Sequence, residues 1–173
     1  MRVGKTSRPG SVDTARWRAL RLLERRPQSE RELLTKLAQR GFEPRVVTEA
    51  VAKLKESGLV DDAAFAAAFA RSRVSRKPVG RRLVERQLAA KGIDRKLAVS
   101  AAEAAVADRD EALMVREAAV KYLRRHPLKF QGRRGLEAAR ERSRMFGWLL
   151  RQGFSGELVR RAVAGAEDDD DLG

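Results

Sequence analysis

Cysteine is absent from the 173 residues. Disulfides and thiolate metal sites are therefore excluded, and a cytosolic setting is compatible. Histidine is almost absent. His126 stands alone beside Pro127, with no cysteine and no second histidine to make a catalytic pair or a metal site. Aromatics are only 5% of the chain, and no run of alternating β-branched residues occurs. The chain thus has neither the pattern of a sheet nor the bulk of a large core. Long apolar runs are missing too. The longest uncharged one, Ala63 to Ala70, is far too short to cross a bilayer. These absences lead us to expect a soluble, cytoplasmic protein that is not an enzyme, has no cofactor and has no membrane partner. The run Asp168 to Asp171 lacks the fixed geometry of a calcium loop. It reads as a solvated tail, or as a decoy for the protein's own basic face.

What the chain has in abundance is Ala, Leu, Glu and Arg, the residues of exposed helices with thin, Ala-filled interfaces. The net charge is +14, from 38 basic and 24 acidic residues. Five of the acids fall in the last seven residues, so the helical body is more basic still. Such a surface suits polyanions or acidic protein faces.

One stretch occurs three times. Leu37-Ala38-Gln39-Arg40-Gly41-Phe42 returns as Leu88-Ala89-Ala90-Lys91-Gly92-Ile93 and as Leu149-Leu150-Arg151-Gln152-Gly153-Phe154, at periods of 51 and then 61 residues. Each copy ends a helical pattern, turns on Gly and follows it with a large apolar residue. That order is the mark of a left-handed helix C-cap. Apolar pairs recur on both sides of the Gly at helical spacing, so the repeated element is a helix-turn-helix hairpin.

Punctuation divides the chain around these hairpins. Residues 1–12 read as a mobile basic arm. Asp13 or Thr14 caps a first helix that runs to about Arg25, with Ala15, Ala19, Leu22 and Leu23 inward and Trp17 off the stripe. Ser29 and Glu32 form a capping box, Pro44 suits a first helical turn, and Val47, Val51 and Leu54 face a core before Gly58. These elements make a three-helix unit over 13–59. A second unit, 60–107, starts at Asp61-Asp62, carries Phe65 and Phe69, and caps its third helix with Asp94. A third unit, 108–166, starts near Asp108 or Asp110, with Leu113, Val120 and Leu123 inward. Its last helix is capped by Ser155 and ends near Ala164, before an acidic, disordered tail over 167–173. Its loop, 126–136, is enlarged. The Pro-to-Gly gap is 14 residues in the first two units and 26 in the third.

The expected fold is all-α: three tandem three-helix repeats forming an elongated, curved modular array, on the order of 60 Å long at ~1.5 Å per helical residue. An open arc of that kind fits a groove or a filament better than a small molecule.

The basic residues are unevenly placed. Arg71 to Lys96 holds ten basic and two acidic residues, and Lys121 to Arg144 holds nine and two. On the middle helix of the second unit, Arg82 and Arg86 lie opposite Val84 and Leu88. On that of the third unit, Arg140, Arg144 and Arg151 lie opposite Met145 and Leu149. Lys91 and the loop residues Lys129, Arg133 and Arg134 add to the field. Gly132-Arg133-Arg134-Gly135 also has the form of a phosphate-clamping GXXG loop, though the strands of a KH domain are missing. These nine basic residues are the candidate contacts with a partner or nucleic acid.

The ordered series is similar to the RecX family. It comprises Ser29-x-x-Glu32-Leu33-x-x-x-Leu37-x-x-x-Gly41-Phe42, then Leu54-x-x-x-Gly58-Leu59-Val60-Asp61-Asp62-x-x-Phe65-Ala66, then Arg73, Gly80 and the second Gly hairpin. The resemblance covers residues 15 to 165. It implies a regulatory protein of the RecA recombinase, active in homologous recombination, DNA repair and the SOS response. Such a protein lies in the groove of the RecA–single-stranded DNA filament and inhibits ATP hydrolysis, strand exchange and filament growth. It implies no catalytic residues. The partners it implies are the RecA filament and single-stranded DNA, bound directly or within the filament; we expect the chain to be a monomer. The long loop, the basic arm and the acidic tail depart from the family pattern. The runner-up is a helical DNA-binding transcriptional regulator, since Ser29 to Leu59 alone passes for a winged-helix core.

Overall fold

The computed structural model describes residues 10–107, 109–126 and 136–168, with side chains 136–138 and 165–168 left aside. Within them the chain forms α1 (Val12–Leu23), α2 (Glu30–Ala38), α3 (Pro44–Glu56), α4 (Asp62–Arg76), α5 (Arg81–Ala90), α6 (Arg95–Ala107), α7 (Glu111–Arg125), α8 (Leu136–Arg151) and α9 (Gly156–Asp168). No strand occurs among the described residues. The all-α, tandem three-helix reading holds. A winged helix would need a strand pair after α3, but only the turn at Gly58 separates α3 from α4.

Side chains start these helices as their chemistry dictates. Ser29 Oγ accepts from Glu32 N–H at 3.2 Å while Glu32 returns a bond to the Ser29 backbone, so the capping box is complete. Asp61, Asp94, Asp110 and Ser155 accept from the first-turn amides of α4, α6, α7 and α9. Pro44 opens α3. At α1 the cap is Ser11, not Asp13 or Thr14. Gly10 also packs against the Phe42 ring, so the expected arm is already part of the fold by that point. α9 continues to Asp168, past the expected end near Ala164.

The three repeated glycines and Gly58 all adopt positive φ, from 71° to 92°. Phe42 N–H and Ile93 N–H reach back to the carbonyls of Leu37 and Leu88, the six-to-one bond of a Schellman cap. Ile93 and Phe154, the residues after two of these glycines, are buried.

Among the described residues the buried apolar side chains form two clusters. Ala19, Leu33, Leu37, Val47, Val51 and Leu54 of α1–α3, with Val60 from the link to α4, form one cluster. A second, continuous cluster runs through α4–α9, from Phe65 and Leu88 to Leu149 and Phe154. One expectation fails here. Leu113 and Val120 are 55% and 46% exposed, and Leu123 is only partly buried. α7 instead buries Met114, Val115, Ala118, Ala119 and Tyr122. The buried face alternates these two alanines, which allow close approach to the neighbouring helices, with Met114, Val115 and Tyr122, and Leu113 and Val120 fall on the other side.

Candidate polyanion interface

The middle helices α2, α5 and α8 meet end to end. At the junction of α5 with α8, Gly80 N–H donates to Gln152 O at 2.9 Å and Arg82 N–H donates to Gly153 O at 3.3 Å. At the junction of α2 with α5, Ser29 Oγ donates to Lys91 O at 2.6 Å. In each case the first turn of one helix faces the carbonyls that close another. At α5 the backbone amides bond to them directly. At α2 the amides of Ser29, Glu30 and Glu32 are held by Glu32, Asp62 and Ser29, and the Ser29 hydroxyl makes the contact. Opposite ends of two helix dipoles are thereby brought together, which is favourable. Ser29 and Gly80 are equivalent by the 51-residue period. In one joint a hydroxyl fills the gap, and in the other the missing side chain lets the two backbones touch.

These joints account for two of the expected contact residues. Lys91 Nζ pairs with Glu32 at 2.8 Å and lies over the Phe65 and Phe69 rings, at 5.8 and 5.3 Å. Only 24% of its side chain is exposed. The Arg86 guanidinium donates to Arg151 O at 3.0 Å, so it caps the end of α8. Both cations hold the joints, although Arg86 stays exposed on the outward face expected of it. Their internal partners were not foreseen, because the neighbouring helix lies beyond the helix end, where periodicity gives no signal. The 51-residue period held a clue, since it aligns the Ser29 and Gly80 starts.

Glu32 is the centre of the first joint. Burial pushes its carboxyl up, but hydrogen bonds from Arg26, Lys91 and the Ser29 backbone outweigh that and hold it at about 2. Burial lowers the neighbouring Lys36, which donates to Gln28 Oε1 at 2.5 Å.

The remaining arginines differ. Arg82, Arg140 and Arg151 are exposed and form no ion pair among the described residues. Arg144 is exposed but pairs with Glu141, which is 3% exposed. Burial, followed by the Glu141 charge, raises the Tyr122 hydroxyl. The Arg86–Arg151 contact places the outer face of α5 beside the end of α8, so Arg82 and Arg151 belong to one basic ridge across the two units. Exposed guanidinium groups on such a ridge present forked donors to phosphates or carboxylates. Lys129, Arg133 and Arg134 lie outside the described residues.

No helix among the described residues is long and apolar enough to cross a membrane. Among the same residues, no three His, Cys, Asp or Glu side chains are placed to hold a metal ion.

Comparison with known proteins adds the family. Residues 15–54 match the family profile described as "RecX, first three-helix domain", and residues 61–101 match "RecX, second three-helix domain". The regulatory protein RecX of Halorhodospira halophila is 36% identical over 158 residues, covering 90% of this chain and 89% of that protein. The one from a Mycobacterium species (strain JLS) is 37% identical over 161 residues, covering 91% and 84%. A crystal structure of a regulatory protein RecX superimposes with a TM-score of 0.71 at 22% identity, covering 87% of this chain and 70% of that one. At that identity the superposition speaks for the fold.

Proposed function

The chain belongs to the RecX family of regulatory proteins, and from that premise we propose that it binds the RecA–single-stranded DNA filament and inhibits it. The inhibited steps are ATP hydrolysis, strand exchange and filament growth. The chain acts as a non-catalytic monomer lying along the filament groove.

The observation that carries this reading is the basic ridge built by joining α5 to α8. Arg82, Arg140 and Arg151 project from it without described ion pairs, and Arg144 adds a partly neutralised charge. A ridge that crosses two units can reach successive subunits of a filament or successive phosphates of its DNA. Inhibition then requires only that the ligand bind one filament conformation more tightly than its competitors. Arg86 and Lys91 support the ridge from within, by fixing the joints. Lys129, Arg133 and Arg134 remain proposed contacts by their charge and position in the sequence.

The test is a titration onto preformed RecA–single-stranded DNA filaments, following ATP hydrolysis and filament length. Wild type slows the first and shortens or arrests the second. The double variant Arg82→Glu, Arg140→Glu keeps the wild-type melting curve, because both side chains are exposed. Losing two charge-assisted contacts raises the concentration for half-inhibition about tenfold or more. Inhibition equal to wild type would remove the ridge from the mechanism. A wild-type protein without effect on either readout would overturn the proposal.

A further inference from the structure

Trp17 lies on α1 at the pole opposite Ala15 and Ala19, which are fully buried. It is 53% exposed and takes no part in the core of its unit. Two guanidinium groups sit over its ring, Arg18 at 5.5 Å and Arg21 at 5.7 Å. Arg16 and Arg25 are exposed on the same helix and its extension. The nearby acids are Asp13, exposed, and Glu24, which pairs with Arg21 at 3.4 Å.

We propose that this face of α1 is a stacking site for single-stranded nucleic acid, with Trp17 as the platform for a base and Arg18 and Arg21 as phosphate contacts. A half-exposed indole outside the core adds little to the fold, whereas a flat aromatic in a basic surface is what an unpaired base requires. Cation–π contacts at exposed sites are weak. A base can therefore replace a guanidinium on the ring while the freed arginine turns to the adjacent phosphate. A protein partner is the less favoured occupant. Aromatic anchors of protein interfaces sit among other apolar groups that exclude water, and Trp17 is the one large apolar residue exposed on α1. The site is on the first unit, away from the α5–α8 ridge, and does not depend on the filament reading.

The experiment uses the full chain without any other protein. In a Trp148→Phe background, tryptophan emission reports Trp17 alone. Adding oligodeoxyuridylate or oligouridylate quenches that emission; the two polymers share one base, so a difference between them identifies which sugar the site prefers. By anisotropy, Trp17→Ala weakens binding about tenfold while Trp17→Phe, which keeps a ring, loses less than about threefold. The Trp17→Ala loss is the same at about 50 and about 200 mM salt, because stacking releases no counterions. Arg18→Gln with Arg21→Gln instead flattens the salt dependence. Unchanged emission at saturation, or Trp17→Ala binding as tightly as wild type, overturns the proposal. So does a Trp17→Ala chain that binds both polymers normally yet loses filament inhibition, since Trp17 would then touch protein. Should Trp17→Ala melt early, the quenching measurement still decides.

Discussion

At Gly153 the backbone takes φ 92°, and at Gly58 it takes φ 71°. A side chain at either position is strained by the left-handed conformation alone, by about 1–2 kcal/mol. Their surroundings differ. A methyl on Gly58 meets nothing within 4 Å, whereas one on Gly153 would collide with Leu83 N and Gly80 O, which are backbone atoms of the neighbouring unit. Gly58→Ala is therefore expected to cost only the conformational term. Gly153→Ala adds forced separation of the α5–α8 joint and should cost roughly 3 kcal/mol or more. Urea denaturation of both variants checks the contrast, and equal losses would mean that the joint yields freely. The turn was legible from the Leu-x-x-x-Gly-apolar spacing, because a helix stop is a local event. The neighbour at Gly153 was not, because it belongs to a unit about 70 residues away in the chain.

The same divide governs the elements. Helix starts could be read from single side chains: Ser29, Asp94 and Ser155 cap the helices they were expected to cap, and Asp61 and Asp110, read only as marking the starts of their units, bind first-turn amides as well. The buried face of α7 could not, because in an Ala-rich helix the apolar stripe is broad and close packing decides its rotation. Of the candidate contacts, Arg82, Arg86, Arg140 and Arg151 stand outward as periodicity required; Arg86 in addition binds the last carbonyl of α8, and Lys91 pairs with Glu32. The α2–α5 joint makes a prediction in pH. Glu32 is held at about 2 against an ordinary 4.5. A carboxyl depressed on folding stabilises above its unfolded pKa and loses that contribution as pH falls through its folded one. At neutral pH, wild type should exceed Glu32→Gln by roughly 2–3 kcal/mol. The gap should close between about pH 4.5 and about pH 2. Denaturant melts across that range measure it, and a gap constant with pH would show that the ion pair adds nothing beyond packing.

For the whole molecule, the sequence suggested three tandem repeats, the third with an enlarged loop, and among the described residues the buried apolar side chains gather into two cores. Units two and three share one cluster, and the backbones of Gly80 and Gly153 touch across it. Unit one joins them through polar groups: Ser29 to Lys91, Glu32 to Lys91, and Glu30 N–H to Asp62 Oδ1 at 2.8 Å. Partly exposed polar contacts transmit less cooperativity than a shared apolar core, because water replaces them when they open. The chain should therefore open in two steps. Amide hydrogen exchange is expected to give α1–α3 one opening free energy and α4–α9 a higher, common one. Leu37→Ala, which empties a fully buried site in the smaller core, should lower protection in α1–α3 by about 2–5 kcal/mol and leave α7–α9 close to wild type. Leu149→Ala, equally buried, should lower protection in α4–α6 together with α7–α9. If Leu37→Ala lowered protection in all nine helices alike, the polar joint would be as cooperative as a core. Unit one would then be fixed rigidly to the two units that carry the basic ridge instead of hinged at Ser29 and Lys91.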